Sequence, residues 1–195
     1  MSIAGKGRSR PGFVRIIGGR WRRHRIAIPS GTGLRPTPDR VRETLFNWLT
    51  PVLPGAVCLD LYAGTGVLGF EAVSRGARTA VLVESDATAA AGLAATREAL
   101  AGGDGIELMR VDAASFIASA AAGRYDIVFI DPPYAVDVDA VFAGLPRLLR
   151  PGARVYLERG RNGPWPAPAG FEWLRRGTAG AVTYGLAALR PPAAA

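Results

Sequence analysis

Apolar residues recur along the chain in short blocks separated by longer amphipathic stretches. Blocks at 56–62 (AVCLDLY), 79–85 (TAVLVES), 105–113 (GIELMRVDA), 125–130 (YDIVFI) and 153–158 predict strands. The intervening stretches, at about 67–76, 86–101, 114–121 and 138–149, predict helices. Strands apolar on both faces that alternate with helices predict an α/β layer fold with a mostly parallel sheet. After Gly160 the pattern changes. Pro164, Pro166 and Pro168 exclude a helix, and 171–176 with 181–189 predict a closing strand pair. Ahead of the first block, VRIIGGRWRRHRIAIP predicts a hairpin of 14–17 with 25–28 around a basic connection. TPDRVRETLFNWL predicts a helix, with Thr37 as N-cap, Pro38 in the first helical position and Asp39 at the positive helix end. Val41, Leu45, Trp48 and Leu49 share one face of it. The chain thus divides into a disordered basic tail over 1–12, a basic hairpin and loop over 13–36, the main domain over 37–190 and a short tail over 191–195.

Charge changes this picture at one end only. Residues 1–42 hold eleven Lys or Arg against one acid, Asp39, a balance of +10, while the remainder balances at −2. A concentrated basic segment before a near-neutral body is the electrostatic footprint of a polyanion binder. Arg15, Arg20, Trp21, Arg22, Arg23, Arg25 and Arg35 form the candidate nucleic-acid-binding set. One cysteine, Cys58, excludes an internal disulfide and reads as a buried thiol in an apolar run. With His24 as the single histidine there is no sensible zinc site, and no metal is expected. No apolar run approaches the roughly 20 residues of a membrane span, and the basic start lacks the apolar region of a signal peptide. A cytoplasmic, monomeric protein is expected.

The loop LDLYAGTGVLG sets Gly64, Gly66 and Gly69 between a strand and a helix. Glycines there let the backbone approach a ligand, and a helix start offers unpaired N–H groups. Glu84, with Ser85, ends the second strand, where a carboxylate takes both hydroxyls of a ribose. Asp112, with Ala113, ends the third, where an acid accepts from an exocyclic amine such as that of adenine. NAD and S-adenosyl-L-methionine both satisfy these two acids. Asp60 favours the second, because an acid beside the glycines suits a cofactor carrying an ammonium and a sulfonium. The candidate cofactor-binding residues are therefore Asp60, Tyr62, Ala63, Gly64, Thr65, Gly66, Glu84, Ser85, Asp112 and Ala113. The string D-x-Y-A-G-T-G resembles motif I of the Rossmann-like methyltransferases.

FIDPPY closes the fourth strand. An exocyclic amine on a ring has a delocalised lone pair, and methyl transfer needs that pair aimed at the donor carbon. Two acceptors on its N–H groups hold that geometry. Ionised Asp131 is one, and the carbonyl of Pro132, aimed by Pro133, is the second. Tyr134 offers a flat face for a base. This is catalysis by positioning and preorganised charge. The tetrapeptide resembles the D/N-P-P-Y/F signature of amino-group methyltransferases.

RIIGGRWRRHRIAIP, GLRPTPDRVRETLFNWL, CLDLYAGTGVLGFEAVSRGA, LVES and FIDPPY together resemble the RsmD-type enzymes, which methylate the exocyclic N2 amine of one guanine in bacterial small-subunit ribosomal RNA. The resemblance covers about 14–158, and 160–195 matches only in general character. It implies a Rossmann-like class I methyltransferase fold, with a seven-stranded sheet whose last strand, at about 181–189, is reversed. It implies S-adenosyl-L-methionine as cofactor and ribosomal RNA or the assembling small ribosomal subunit as partner. Asp131, Pro132, Pro133 and Tyr134 would be the amine clamp, Gly64 to Gly66 the cofactor loop, Glu84 the ribose acid, Asp112 the adenine contact, and the basic hairpin the RNA grip. A base that must leave its stack to reach Asp131 does so at lower cost from an RNA loop than from duplex DNA. Methylation of adenine in DNA or of a protein glutamine, and a non-catalytic role in subunit assembly, are the alternatives. The roles of Arg42 and Glu43 stay open.

Overall fold

The apolar blocks form the middle of a seven-stranded sheet. A hairpin of β1 (Phe13–Arg15) and β2 (Arg25–Ala27) precedes α1 (Asp39–Leu49). Then come β3 (Val57–Asp60), α2 (Val67–Ser74), β4 (Thr79–Val83), α3 (Ala87–Ala99), β5 (Ile106–Met109), α4 (Ala113–Ser119), β6 (Tyr125–Ile130) and α5 (Val138–Gly144). β7 (Leu149–Gly160), β8 (Phe171–Ala179) and β9 (Val182–Leu189) complete the chain. The computed structural model describes residues 12–29, 37–133 and 135–190. The expectations for 1–11, for 30–36 with Arg35, for Tyr134 and for 191–195 lie outside the described residues. Strand order is β5-β4-β3-β6-β7-β9-β8. β3 to β7 run parallel, and β9 returns antiparallel between β7 and β8. This is the expected Rossmann-like sheet with its last strand reversed.

β3 shows why continuous apolar runs build this sheet. All four of its residues are buried. Cys58 faces a core that includes Ile16, Leu45 and Phe70, whereas Val57 and Leu59 face a second core with Phe116 and Phe142. Period-two alternation on a strand covered on both faces needs apolar residues at every position. Burial, reinforced by the charges of Asp126 and Asp60, pushes the Cys58 thiol up, as suits an inert core residue.

Three expectations shift. α5 ends at Gly144, not near 149, and β7 begins at Leu149. Pro146 cannot continue a helix, while buried Leu145, Leu148 and Leu149 prolong the apolar pattern past its true end. The last β-turn falls later than expected, so β8 runs to Ala179. Pro38, not Thr37, is the N-cap of α1, and no side chain caps that helix. The residue before a proline is held out of helical geometry, which frees Thr37 to turn its hydroxyl elsewhere.

The hairpin packs on the body as part of the core. Val14, Ile16, Trp21 and Ile26 are buried. The Trp21 N–H donates to Ser74 Oγ (2.9 Å), and the Ser74 hydroxyl donates to the Gly18 carbonyl (2.6 Å). A Cβ at Gly19, whose φ is +76°, would lie 1.9 Å from the Ser74 carbonyl oxygen. The Gly-Gly pair thus lets the hairpin lie directly on the end of α2.

Beneath this contact sits a buried ion pair. Arg42 Nη1 lies 2.6 Å from Glu71 Oε2, with both side chains inaccessible to solvent. Arg42 Nε donates to the Thr37 carbonyl (3.2 Å) and Nη2 to Asp39 Oδ1 (2.6 Å). Glu71 Oε1 accepts from Arg75 (2.7 Å) and from the Gly18 N–H (3.2 Å). Asp39 in turn pairs with Arg15 at 2.9 Å. Removing one member of such a pair strands a charge in the core. Arg42→Ala is expected to lower the unfolding free energy by about 3–5 kcal/mol in urea denaturation. Arg15→Ala, which breaks a largely exposed pair, is expected to cost under about 1 kcal/mol in the same measurement.

Candidate active site

Parallel strands present all their carboxyl ends on one edge, and the acids expected there stand along it. β3 leads through Asp60 into the glycine loop and α2. Gly64 and Gly66 have φ of 53° and 74°, the left-handed region that favours glycine. A Cβ at Gly66 would lie 2.5 Å from Leu93 Cδ2 and 2.6 Å from the Phe70 ring. The loop is pinned from the next strand. The Ala63 N–H donates to the Val83 carbonyl (3.0 Å) and the Gly64 N–H to Glu84 Oε2 (2.8 Å). Glu84 Oε1 accepts from the Asp86 N–H (2.8 Å), and Asp86 caps α3 through the Ala89 N–H.

The acids differ in environment. Asp112 is exposed and accepts from the Ser115 N–H (2.9 Å), and its bonds to Ser115 hold it below the usual carboxylate range. Asp60 is buried and accepts from the Gly69 N–H (3.2 Å). Burial pushes it up to about 7, with the Gly69 bond opposing and the Glu84 charge adding to the rise.

Asp131 follows directly on β6, which pairs with β3 through Asp60↔Phe129. Thr37 donates its hydroxyl to Asp131 Oδ2 (3.3 Å). On the other side β6 pairs with β7 through Ile130↔Leu157, and the residues that follow these two are Asp131 and Glu158. Glu158 is 5% exposed, and Tyr156, itself buried, donates its hydroxyl to Glu158 Oε2 (2.8 Å). Burial first, then the charges of Glu158 and Asp60, raise Asp131 well above the usual carboxylate range. Glu158 is raised by burial too, with the hydroxyls of Tyr156 and Thr37 opposing. A carboxylate at the end of a buried strand, beside a glycine loop and a second carboxylate, is an arrangement for holding amine N–H groups and accepting a proton.

The family model described as "Conserved hypothetical protein 95" matches residues 14–188. The chain is 41% identical over 179 residues to the protein named "Ribosomal RNA small subunit methyltransferase D" of Escherichia coli, covering 90% of this chain and 89% of that one. The chain belongs to the RsmD-type family. The Haemophilus influenzae protein of the same name is 37% identical over 180 residues, covering 90% of this chain and 93% of its own. Among solved structures, the yhhF protein of Escherichia coli superposes with a TM-score of 0.83 at 37% identity, over 92% of this chain and 99% of that one. The fold is therefore the Rossmann-like methyltransferase fold that the sequence implied.

In this RsmD-type chain the structure gathers Asp60, Gly64, Gly66, Glu84, Asp112 and Asp131 on one sheet edge. Tyr62, Ala63 and Thr65 lie in the loop, Ser85 and Ala113 beside their acids, and Pro132 and Pro133 after Asp131. The Pro133 carbonyl accepts from the Val136 N–H (3.1 Å). Two residues of the site escaped sequence reasoning. Thr37 read as a helix cap. Glu158 carried the same signal as the other acids, a carboxylate ending an apolar run, yet lay in the segment read as a plain strand.

The RNA-facing set needs one correction. Trp21 is 7% exposed, donates its indole N–H to the Ala101 carbonyl (2.8 Å) and meets Phe70 edge-on. It packs the hairpin on the body and offers no face to a nucleotide. Arg15, Arg20, Arg22, Arg23 and Arg25 are exposed. Arg20 reaches the Gly102 carbonyl (3.0 Å), and Arg25 lies 4.1 Å over the ring of exposed Phe13. Phe13, Arg15, Arg23 and Arg25 line a cleft of about 630 Å³ whose far wall is Thr37, Pro38 and Asp39. The cleft is thus lined both by these arginines and by Thr37, the residue whose hydroxyl contacts Asp131.

Gly55 and Gly66 share positive φ values of 75° and 74°, but a Cβ at Gly55 meets nothing within 4 Å. Gly55→Ala is expected to destabilise by about 1 kcal/mol through backbone strain alone. Gly66→Ala is expected to cost roughly 1–3 kcal/mol more, because the loop must also part from Leu93 and Phe70. Paired denaturation curves read the difference.

Proposed function

We propose that this protein transfers a methyl group from S-adenosyl-L-methionine to the exocyclic N2 amine of a guanine in small-subunit ribosomal RNA. The observation that carries the reading is the position of Asp131, at the end of β6 and one strand from the glycine loop of β3.

The residues present fit the methyl donor. The glycine loop turns in left-handed backbone at Gly64 and Gly66, Glu84 and Asp112 would supply carboxylates to ribose hydroxyls and an adenine amine, and Asp60 would answer positive charge. When bound, S-adenosyl-L-methionine supplies an electrophilic methyl on a cationic sulfur. The chain's own work is then to aim the amine. Asp131 accepts from one N–H, and the Pro132 carbonyl from the other, so the nitrogen lone pair faces the methyl. Positive charge grows on the amine as it attacks, and Asp131 stabilises that charge more than it stabilises the resting base. Tyr134 supplies a stacking face, and Arg15, Arg20, Arg22, Arg23, Arg25 and Arg35 contact phosphates, which positions the RNA without reading its bases. Phe13 joins them as an aromatic surface at the cleft. Among the described residues no group of three or more His, Cys, Asp or Glu is placed to hold a metal, and no helix is long and apolar enough to cross a membrane.

Transfer of labelled methyl tests the reading, with naked ribosomal RNA, small-subunit particles, duplex DNA and release-factor protein offered in parallel. Label on small-subunit RNA or particles, mapped to a guanine amine, is expected. Asp131→Ala is expected to reduce it by about 10²–10³-fold while cofactor binding persists. Label on DNA or protein instead would overturn the substrate.

Asp60 makes a second prediction. Its affinity for a proton, at about 7, lies above that of an ordinary aspartate, and a cationic ligand favours the ionised form. Below pH 7, binding must therefore expel a proton. Calorimetric affinity for S-adenosyl-L-methionine is expected to fall by up to about tenfold per pH unit from pH 7 downward, and to lose that dependence in Asp60→Asn.

A further inference from the structure

Glu158 has no place in the clamp just described, yet it follows Leu157, the register partner of Ile130, just as Asp131 follows Ile130. Its environment is specific. Tyr156, one of the largest fully buried side chains of the protein, gives its hydroxyl to Glu158 Oε2 at 2.8 Å. Thr37 gives its hydroxyl to Asp131 Oδ2 at 3.3 Å and also interacts with Glu158. A carboxylate that served only packing would be exchanged for an apolar residue without loss, since a buried charge costs several kcal/mol to desolvate. Here it is held in place by a phenol and set beside the group that touches the reacting amine.

We propose that Glu158 is a positioning residue of the methyl-transfer site, forming with Asp131 a carboxylate pair that takes up the proton shed by the methylated amine. The inference rests on the amine-methylation reading above. In the step, the amine nitrogen's lone pair forms the new N–C bond while the C–S bond breaks and its electrons stay on sulfur. The nitrogen, now carrying the methyl, its two original hydrogens and a positive charge, gives one of those hydrogens as a proton to Asp131. The proton is then shared between the Asp131 and Glu158 oxygens and passes to water as product leaves. Two carboxylates side by side bind a first proton more tightly than either alone, so the pair is a better acceptor than a lone aspartate.

The groups facing the pair are few. Asp60 on β3 adds negative charge. Tyr156 shares β7 with Glu158, and Tyr184 on β9 is the register partner of Glu158. Thr37 faces both carboxyls, and the Arg42 guanidinium, engaged by Glu71, Asp39 and the Thr37 carbonyl, lies behind it. Neutralising Glu158 therefore removes the largest charge acting on Asp131.

The test is the pH dependence of kcat for wild type, Glu158→Gln and Tyr156→Phe, with thermal unfolding and cofactor binding measured on each. Wild-type kcat is expected to fall as pH drops through a limb above the ordinary carboxylate range. In Glu158→Gln, the limb is expected to move toward acid by roughly a pH unit or more, and the plateau to fall at least about tenfold. In Tyr156→Phe the lost hydroxyl leaves the Glu158 anion less stabilised, and the limb is expected to move the opposite way. A folded, cofactor-binding Glu158→Gln protein with an unmoved limb would falsify the pairing. If the wild-type label maps to a position other than a guanine amine, the guanine assignment fails, and the limb still decides whether the pair exists.

Discussion

The buried pair between Arg42 and Glu71 is the constraint on which the rest of the molecule depends. Two ions taken out of water are tolerable only when every remaining donor and acceptor is engaged. Here Arg42 also serves Asp39 and the Thr37 carbonyl, and Glu71 also serves Arg75 and the Gly18 N–H. Those partners come from three stretches of the chain, the hairpin, the start of α1 and the end of α2. Gly18 belongs to the basic hairpin and Thr37 to the approach to Asp131, while Glu71 lies on the helix that opens from the glycine loop. One electrostatic knot thereby fixes the relative placement of the basic hairpin, the helix that follows the glycine loop and the start of α1 beside Asp131.

That fixity matters because the carboxylates along the sheet edge are a crowd of like charges. Their behaviour sorts by what the backbone offers them. Asp112 and Glu84 accept N–H groups at helix starts and loop turns, and for Asp112 these bonds stabilise the anion. Asp60 and Glu158 are buried and Asp131 is half-buried, and the loss of water around all three raises their hold on a proton. The first kind suits hydroxyl and amine recognition, where a permanent acceptor is wanted. The second suits a site that meets a cation and must dispose of a proton.

The hairpin combines two tasks by alternation. Val14 and Ile26 point into the core, and Arg15 and Arg25, one position away, point out. Trp21 and the Gly18–Gly19 turn clamp its far end to Ser74 and Ala101. Among the described residues, the charges of Arg15, Arg20, Arg22, Arg23 and Arg25 are thus carried on a packed hairpin, and a polyanion meeting such a surface loses less ordering entropy than one meeting a free tail.

Much of this was legible without coordinates. Continuous apolar runs specified strands buried on both faces, and with intervening helices that leaves little besides a parallel α/β sheet. That Asp60, Glu84, Asp112 and Asp131 stand along one edge was readable because parallel strands bring all carboxyl ends to one side of the sheet. Trp21 was not, since the same alternation of Arg and aromatic residues describes an RNA grip and a packed hairpin, and only the Ala101 carbonyl and the Phe70 ring decide between them. Nor was Thr37, because Thr-Pro-Asp describes a helix start equally well when the hydroxyl caps and when it turns away. Local sequence determined which elements form and which edge carries the acids. Tertiary structure alone decided which acids come together at the ends of neighbouring strands, as Asp131 and Glu158 do, and which charges lie buried against each other, as Arg42 and Glu71 do, because those pairings join residues 27 and 29 positions apart through strand alignment and helix packing.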